Sequence, residues 1–247
     1  MSNDLKQRLI GVLYLLPFVF AVLAGAPFMN IAIGILQALL CYELARLLTK
    51  NTSYIALYSI YFLMTILGFS FDLPFVVLGV MAMGCFAMAY MAKGLFAALF
   101  TSLLMICLIS LSLLLLFSSA PLILLSIALI VAAGDIGAYI SGRRFGGRKL
   151  APSISPNKTL SGSGGGLIAS MIMGLAVAPH IAPINPNPLI AAMIIGALGQ
   201  AGDLYESYFK RKLDVKDSSN LIPGHGGFLD RFDGYLLVIP LFLFSLL

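Results

Sequence analysis

Residues 121–141 read PLILLSIALIVAAGDIGAYIS, and GRRFGGRK follows at 142–149. A hydrocarbon layer about 30 Å thick takes about 20 helical residues to cross. The first stretch has that length and holds a single charged side chain, Asp135. The second begins where the apolar run stops and carries Arg143, Arg144, Arg148 and Lys149, the cationic flank expected on the cytoplasmic side of a membrane. Asp135 then lies about 9 Å inside the Ser141 end, at 1.5 Å per residue. An acid at that depth is expensive and faces a cavity or a partner rather than lipid. The same helix end is rich in Ala132, Ala133, Gly134, Gly137, Ala138 and Gly142, and small side chains let helix backbones approach closely.

The rest of the chain repeats this pattern. Of 247 residues, 60% are apolar and 10% charged, against about 25% charged in an average soluble domain. Nine spans are expected, at 9–27, 28–47, 54–71, 73–92, 94–117, 121–141, 163–183, 188–204 and 229–247. Threading them puts the N-terminus and the loops near 48–53, 93, 142–162 and 205–228 on one side, and all 15 Lys and Arg residues fall there. The opposite loops carry only Asp72. The fold class is therefore an all-α polytopic membrane protein with a cytoplasmic N-terminus, in a bacterial-type inner membrane. The formal charge of +5 is a matter of topology and does not point to nucleic acid. Lys6 and Arg8 ahead of an apolar stretch ending Ala24-Gly25-Ala26 look like a secretory signal. Pro27 would follow the cut directly and many spans come after, so a retained first helix is the simpler reading. Cys41, Cys85 and Cys107 stand singly in apolar runs, which gives no disulfide framework or thiolate metal site.

Two regions differ in character. Residues 1–120 read as lipid-facing helices with short loops. Residues 121–247 read as a tight catalytic bundle, with Gly166, Ser170 and Gly174 in span seven and Gly196, Gly199 and Gly202 in span eight. No internal repeat is present, which disfavours an inverted-repeat transporter. Asp135, Asp203, Asp230 and Asp233 come from three spans and are expected to meet at one depth near the cytoplasmic face. Carboxylates brought together repel unless a cation sits among them, and hard oxygen ligands suit magnesium. Each acid also has a plainer reading. Asp230 could cap a helix, Asp203 sits where a helix dipole disfavours an anion, and Asp135 could pair with Arg143 or Arg144. Glu43, three residues from Arg46, reads as an ordinary helix pair. Basic, glycine-rich segments surround the acids: 142–149, Ser155-Pro156-Asn157-Lys158-Thr159, Lys210-Arg211-Lys212 and Pro223-Gly224-His225-Gly226-Gly227. Glycines let backbone N–H groups reach phosphate and Lys or Arg supply charge. No Walker A pattern is present. The residues point to phosphoryl or nucleotidyl transfer on a membrane substrate.

The segment Ser207-Tyr208-Phe209-Lys210-Arg211, then Lys216-Asp217, then Ile222 through Gly226-Gly227-Phe228-Leu229-Asp230-Arg231-Phe232-Asp233 resembles the signature of the phosphatidate cytidylyltransferase (CDP-diacylglycerol synthase) family. Asp135 to Tyr139, Lys149 to Pro152, Ser155 to Thr159 and Gly202 to Ser207 are similar to further motifs of that family, so the resemblance covers about residues 134–234. It departs at Leu160 and Ser161, where the family usually has Trp and then Glu or Ser. The resemblance implies magnesium-dependent transfer of CMP from CTP to phosphatidate with release of pyrophosphate; two divalent ions would suit the charge on both sides of such an in-line displacement. Asp203 and Asp230 would lie nearest the metal, with Asp135, Asp217 and Asp233 behind them. Lys158, Lys210, Arg211, Lys216 and Arg231 would stabilise charge in the transition state. Arg143, Arg144, Ser207, His225, Gly226 and Gly227 would bind substrate. Partners are then the two substrates and membrane lipids, with a homodimer compatible and no nucleic acid. Two other readings stay open: a CTP-dependent polyprenol or phytol-type lipid kinase, and a membrane ion or phosphate transporter.

Overall fold

A computed structural model describes residues 121–182, 184–222 and 226–239, with scattered positions between Phe20 and Leu47. The expected spans 54–71, 73–92 and 94–117, most of spans one and two, and the three cysteines lie outside the described residues. The chain divides into two compact units, Met1–Leu114 with Val215–Arg231 and Leu115–Asp214 with Phe232–Leu247.

The second unit is built on helices α1 (Pro121–Phe145), α2 (Leu160–Ala176), α3 (Ala178–Ile181) and α4 (Pro188–Lys212), with a hairpin of β1 (Lys149–Ala151) and β2 (Ser155–Thr159) between α1 and α2. Local chemistry sets the boundaries. Thr159 caps α2 by accepting from Gly162 N at 3.1 Å. Asn187 caps α4 by accepting from Leu189 N at 3.0 Å, and Pro188 fills the first helical position, where its missing N–H costs nothing. The cationic ends, Arg143 and Arg144 on α1 and Lys210 to Lys212 on α4, sit where the helix dipole favours them.

On α2 the packing is inverted relative to a helix of a water-soluble bundle. The buried positions of α2 are Gly162, Gly166, Ser170 and Gly174, one per turn, while Ile168, Ile172 and Leu175 point outward and are more than half exposed. The small residues receive α1 and α4: a Cβ on Gly134 of α1 or Gly196 of α4 would come within 2.6 Å of Ser170 Oγ, and one on Gly174 would strike Ala192. Ser170 Oγ also donates to Ile130 O at 3.2 Å. Large apolar side chains outside and small ones inside are what lipid as solvent selects, because packing rather than exclusion from water draws the helices together. Among the described residues two helices, Leu122–Phe145 and Pro188–Lys212, have the length and apolar composition to cross a membrane, and α2 is a shorter apolar helix.

Three expectations are corrected. The expected loop 142–162 begins with the last turn of α1 and then forms an antiparallel hairpin, registered Lys149 with Thr159 and Ala151 with Ser155. The expected loop 205–228 begins eight residues too early, because α4 continues through Lys212. Span seven, expected over 163–183, is α2 followed by a break at Val177 and the short α3.

In the first unit, Ile33, Leu36, Leu40 and Glu43 are all buried. Their three- and four-residue spacing defines one helical face. The chain from 215 forms a loop with an isolated bridge between Ile222 and Gly226 and enters the short helix α5 (Leu229–Phe232).

Candidate active site

Within the second unit α1, the hairpin, α2 and α4 line a half-open cavity of about 530 Å³. From α1, Asp135, Tyr139 and Arg143 line it at four-residue intervals, which places them on one face. The hairpin adds Asn157, Lys158 and Thr159, α2 adds Ser163, and α4 adds Gln200 and Asp203. Its central contact is an ion pair, Lys158 Nζ to Asp203 Oδ2 at 2.5 Å. Ser207, one turn along α4, donates from Oγ to Asp203 Oδ1 at 3.4 Å. The expected residues Asp135, Asp203, Lys158 and Arg143 therefore meet at one site. Asp233 lies within electrostatic reach of Asp203, Asp135 and Lys210. Its carbonyl oxygen sits where a side chain on Gly202 would have to go, so α4 and the Asp233-Gly234 turn touch backbone to backbone.

Asp203 is not at a helix C-terminus, as expected. More than two turns of α4 follow it, so the dipole argument for a cation there lapses. Its placement rests instead on the cavity and on Lys158.

Several wall residues escaped the sequence reading. Gln200 donates from Nε2 to Ser163 O at 3.1 Å and accepts from Ser163 Oγ, joining α4 to α2. A polar residue three before Asp203 in an apolar span was the available signal. Arg143 Nη1 donates to Tyr139 Oη at 2.7 Å. Ser161, beside the Leu160 that stands where the family usually has Trp, donates from Oγ to Gly146 O and lies 3.1 Å from Thr159 Oγ1, so it closes the base of the hairpin. Leu160 beside it is half exposed.

The remaining candidate cations divide. Lys210 is paired at 2.6 Å with Glu206, a fully buried acid of α4. Arg211 Nε donates to Ile154 O at 3.3 Å and ties the end of α4 to the hairpin turn. Arg144, Lys216 and Arg231 are exposed.

The first unit holds Asp217, which is exposed, and Asp230, which is buried. Asp230 Oδ2 accepts from Ser218 N at 2.9 Å, Ser218 Oγ at 2.9 Å and Gly227 N at 2.7 Å. Glu43 is fully buried and accepts from Ser219 Oγ at 2.5 Å, Leu229 N at 2.7 Å, Phe228 N at 2.8 Å and Ser218 Oγ at 3.2 Å. The Arg46 of the expected helix pair lies outside the described residues, and the Glu43 carboxylate is bonded to Ser218, Ser219, Phe228 and Leu229. Gly226 and Gly227, expected to approach phosphate, have another reason to be glycine. Gly226 has φ +80°, and a Cβ there would lie 2.5 Å from Asp230 Oδ2; one on Gly227 would meet both Glu43 oxygens and Ser218 Oγ. The Gly227 N–H is already donated to Asp230. His225 lies outside the described residues.

Asp135 and Asp203 in one cavity with an amide, hydroxyls and cationic side chains suit a divalent ion that arrives with phosphate. Magnesium takes one or two carboxylates and fills its remaining positions with water and phosphate oxygens. Among the described residues no three acidic, His or Cys side chains form a cage; of the carboxylates expected to converge, Asp135 and Asp203 line this cavity and Asp233 lies within electrostatic reach of both.

The family model described as the Cytidylyltransferase family matches residues 6–247. The chain is 46% identical over 122 residues to a Bacillus subtilis (strain 168) protein named phosphatidate cytidylyltransferase, a match covering 48% of this chain and 44% of the relative. Proteins of the same name from Staphylococcus aureus (strain COL) and Staphylococcus saprophyticus are 49% and 50% identical over 116 residues, each match covering 46% of this chain and 44% of the relative. The matched stretch thus spans less than half the length of each of these relatives. With the family model spanning nearly the whole sequence, the chain belongs to the cytidylyltransferase family.

Proposed function

We propose that this protein transfers CMP from CTP to phosphatidate, giving CDP-diacylglycerol and pyrophosphate. The observation that carries the reading is the cavity in which Lys158 and Asp203 pair beside Asp135 and Arg143, in a chain of the cytidylyltransferase family. An oxygen of the phosphatidate phosphate attacks the α-phosphorus of CTP. A new phosphoanhydride bond forms, the bond from the α-phosphorus to the oxygen bridging to the β-phosphate breaks, and pyrophosphate leaves. The attacking group has a second pKa of about 6 and is mostly dianionic near neutral pH, so no general base is required. The protein's task is to neutralise and align charge. Lys158 and Arg143 supply positive charge at the cavity, and Asn157 and Gln200 supply neutral polar groups. Asp203 and Asp135 would hold magnesium, whose charge when bound offsets that of the phosphates. Asp230, with Asp217 and Asp233 in support, is assigned to metal by the family resemblance, and a second ion would neutralise charge on the other side of the displacement.

We further infer nine spans, a cytoplasmic N-terminus and a site at the cytoplasmic face of a bacterial inner membrane; the one-sided distribution of Lys and Arg supports this. Phosphatidate then keeps its acyl chains in the leaflet, and the outward apolar faces of α1, α2 and α4 are compatible with that. A homodimer is compatible with the same faces.

The test is purified protein in detergent with phosphatidate, labelled CTP and magnesium. A labelled lipid together with pyrophosphate is expected, and both excess chelator and Asp203→Asn should abolish it without loss of folded protein. Phosphorylated lipid with release of CDP would instead identify a lipid kinase. Full activity in chelator would sink the magnesium assignment.

A further inference from the structure

Glu43 lies in the N-terminal region that sequence reading left without a task, and it is a buried acid for which the proposed chemistry has no use. A carboxylate inside an apolar span is costly and is kept where it serves function. Here its four hydrogen bonds all come from residues 218–229: two serine hydroxyls and the two successive backbone amides, Phe228 N and Leu229 N, that open α5. The next residue in the chain is Asp230. Its Oδ2 accepts from Ser218 N, Ser218 Oγ and Gly227 N, so the same loop is gripped from both ends. Ser218 Oγ stands between the acids, 3.2 Å from Glu43 and 2.9 Å from Asp230, and one hydroxyl proton serves both.

We propose that Glu43 is a positioning residue for the reaction, a buried carboxylate clamp that ties Ser218 and Ser219 to Phe228 and Leu229 and thereby fixes the orientation of Asp230. This rests on the proposed function for its catalytic consequence, though not for the clamp itself. A carboxylate is required because the loop offers only donors at that point. Glutamine has the same shape but turns an N–H toward at least one of them. Aspartate is one methylene shorter and does not reach.

The experiment compares full-length wild type, Glu43→Gln, Glu43→Asp and Ser219→Ala in detergent by two readouts. The first is amide hydrogen exchange. In Glu43→Gln, peptides containing Phe228 and Leu229 should exchange at least about 10-fold faster, the equivalent of one lost hydrogen bond to a charged acceptor. Peptides from α2 and α4 should be unchanged. The second is steady-state CMP transfer. Glu43→Gln and Glu43→Asp should lower kcat by about 10-fold or more with KM for CTP within about 2-fold, and Ser219→Ala, which removes one of four donors, should have a smaller effect. Unchanged protection at 228–229 in Glu43→Gln would overturn the clamp. Equal loss of protection in every helix, or a change in KM alone, would overturn the positioning role in favour of general stability. If the wild type transfers no CMP while the exchange result holds, the proposed function fails and the clamp stands.

Discussion

Replacing Lys158 by Met removes the cation from Asp203 while keeping an unbranched apolar stem of similar length. The structural cost can be bounded. The ion pair is short, 2.5 Å, but its side chains are 26% and 33% exposed, so water screens it and its contribution to stability is about 1 kcal/mol at most. The catalytic cost should be larger. Lys158 lines the cavity with Asp135 and Asp203, and in the proposed reaction two acids would then face the phosphates with less opposing charge. Removal of one preorganised charge-stabilising group lowers kcat by about 100- to 1,000-fold, or about 2.7–4 kcal/mol of transition-state stabilisation. These magnitudes separate the two roles. Thermal unfolding in detergent should shift by only a few degrees, as about 1 kcal/mol implies, while the labelled-CTP assay should lose two to three orders of magnitude in kcat. Lys158→Arg retains charge but presents a planar fork in place of a compact ammonium, and should recover part of the loss. If Lys158→Met keeps kcat within about 3-fold of wild type while showing that small loss of stability, the pair is only structural and the reasoning fails.

Gly202→Ala places a methyl group against the Asp233 carbonyl oxygen; neither backbone can yield cheaply, so about 1–3 kcal/mol of destabilisation is expected in thermal unfolding, with activity falling alongside. Gln200→Leu removes the link to Ser163 and should cost about 0.6–1.7 kcal/mol per hydrogen bond lost, the range measured between membrane helices; a double-mutant cycle with Ser163→Ala should show coupling, and simple additivity would mean the link carries nothing.

The fold was legible where lipid selects composition. The Gly-Ser stripe of α2 predicted a close helix contact, and the structure buries Gly166, Ser170 and Gly174 in it. Boundaries were harder. Hydropathy drops at Tyr205 because polar residues begin there, but the helix does not end, since Ser207 and Lys210 are one turn from Asp203 and Glu206 and bond back to them. The hairpin was hidden for the opposite reason. Ser155-Pro156-Asn157-Lys158-Thr159 has turn-forming composition and no apolar alternation, and it is extended because of backbone pairing with β1 and the Thr159 cap rather than strand propensity.

The site divides along the same line between chemistry and context. Asp135, Lys158 and Asp203 could be picked out singly, because each is a charge in a setting that penalises charge. That they share one cavity required the register of α1, the hairpin and α4, which residue types alone do not encode. Glu43 shows the reverse case. An i, i+3 spacing to Arg46 offered a local explanation, and local explanations are favoured by a reading that sees only one element at a time. Its partners are some 175 to 186 residues away along the chain. No periodicity links positions at such separation, but burial does: an acid at 0% exposure must have its donors supplied from somewhere. A charged residue in the middle of an apolar span should therefore be given a distant partner first and a neighbouring one second.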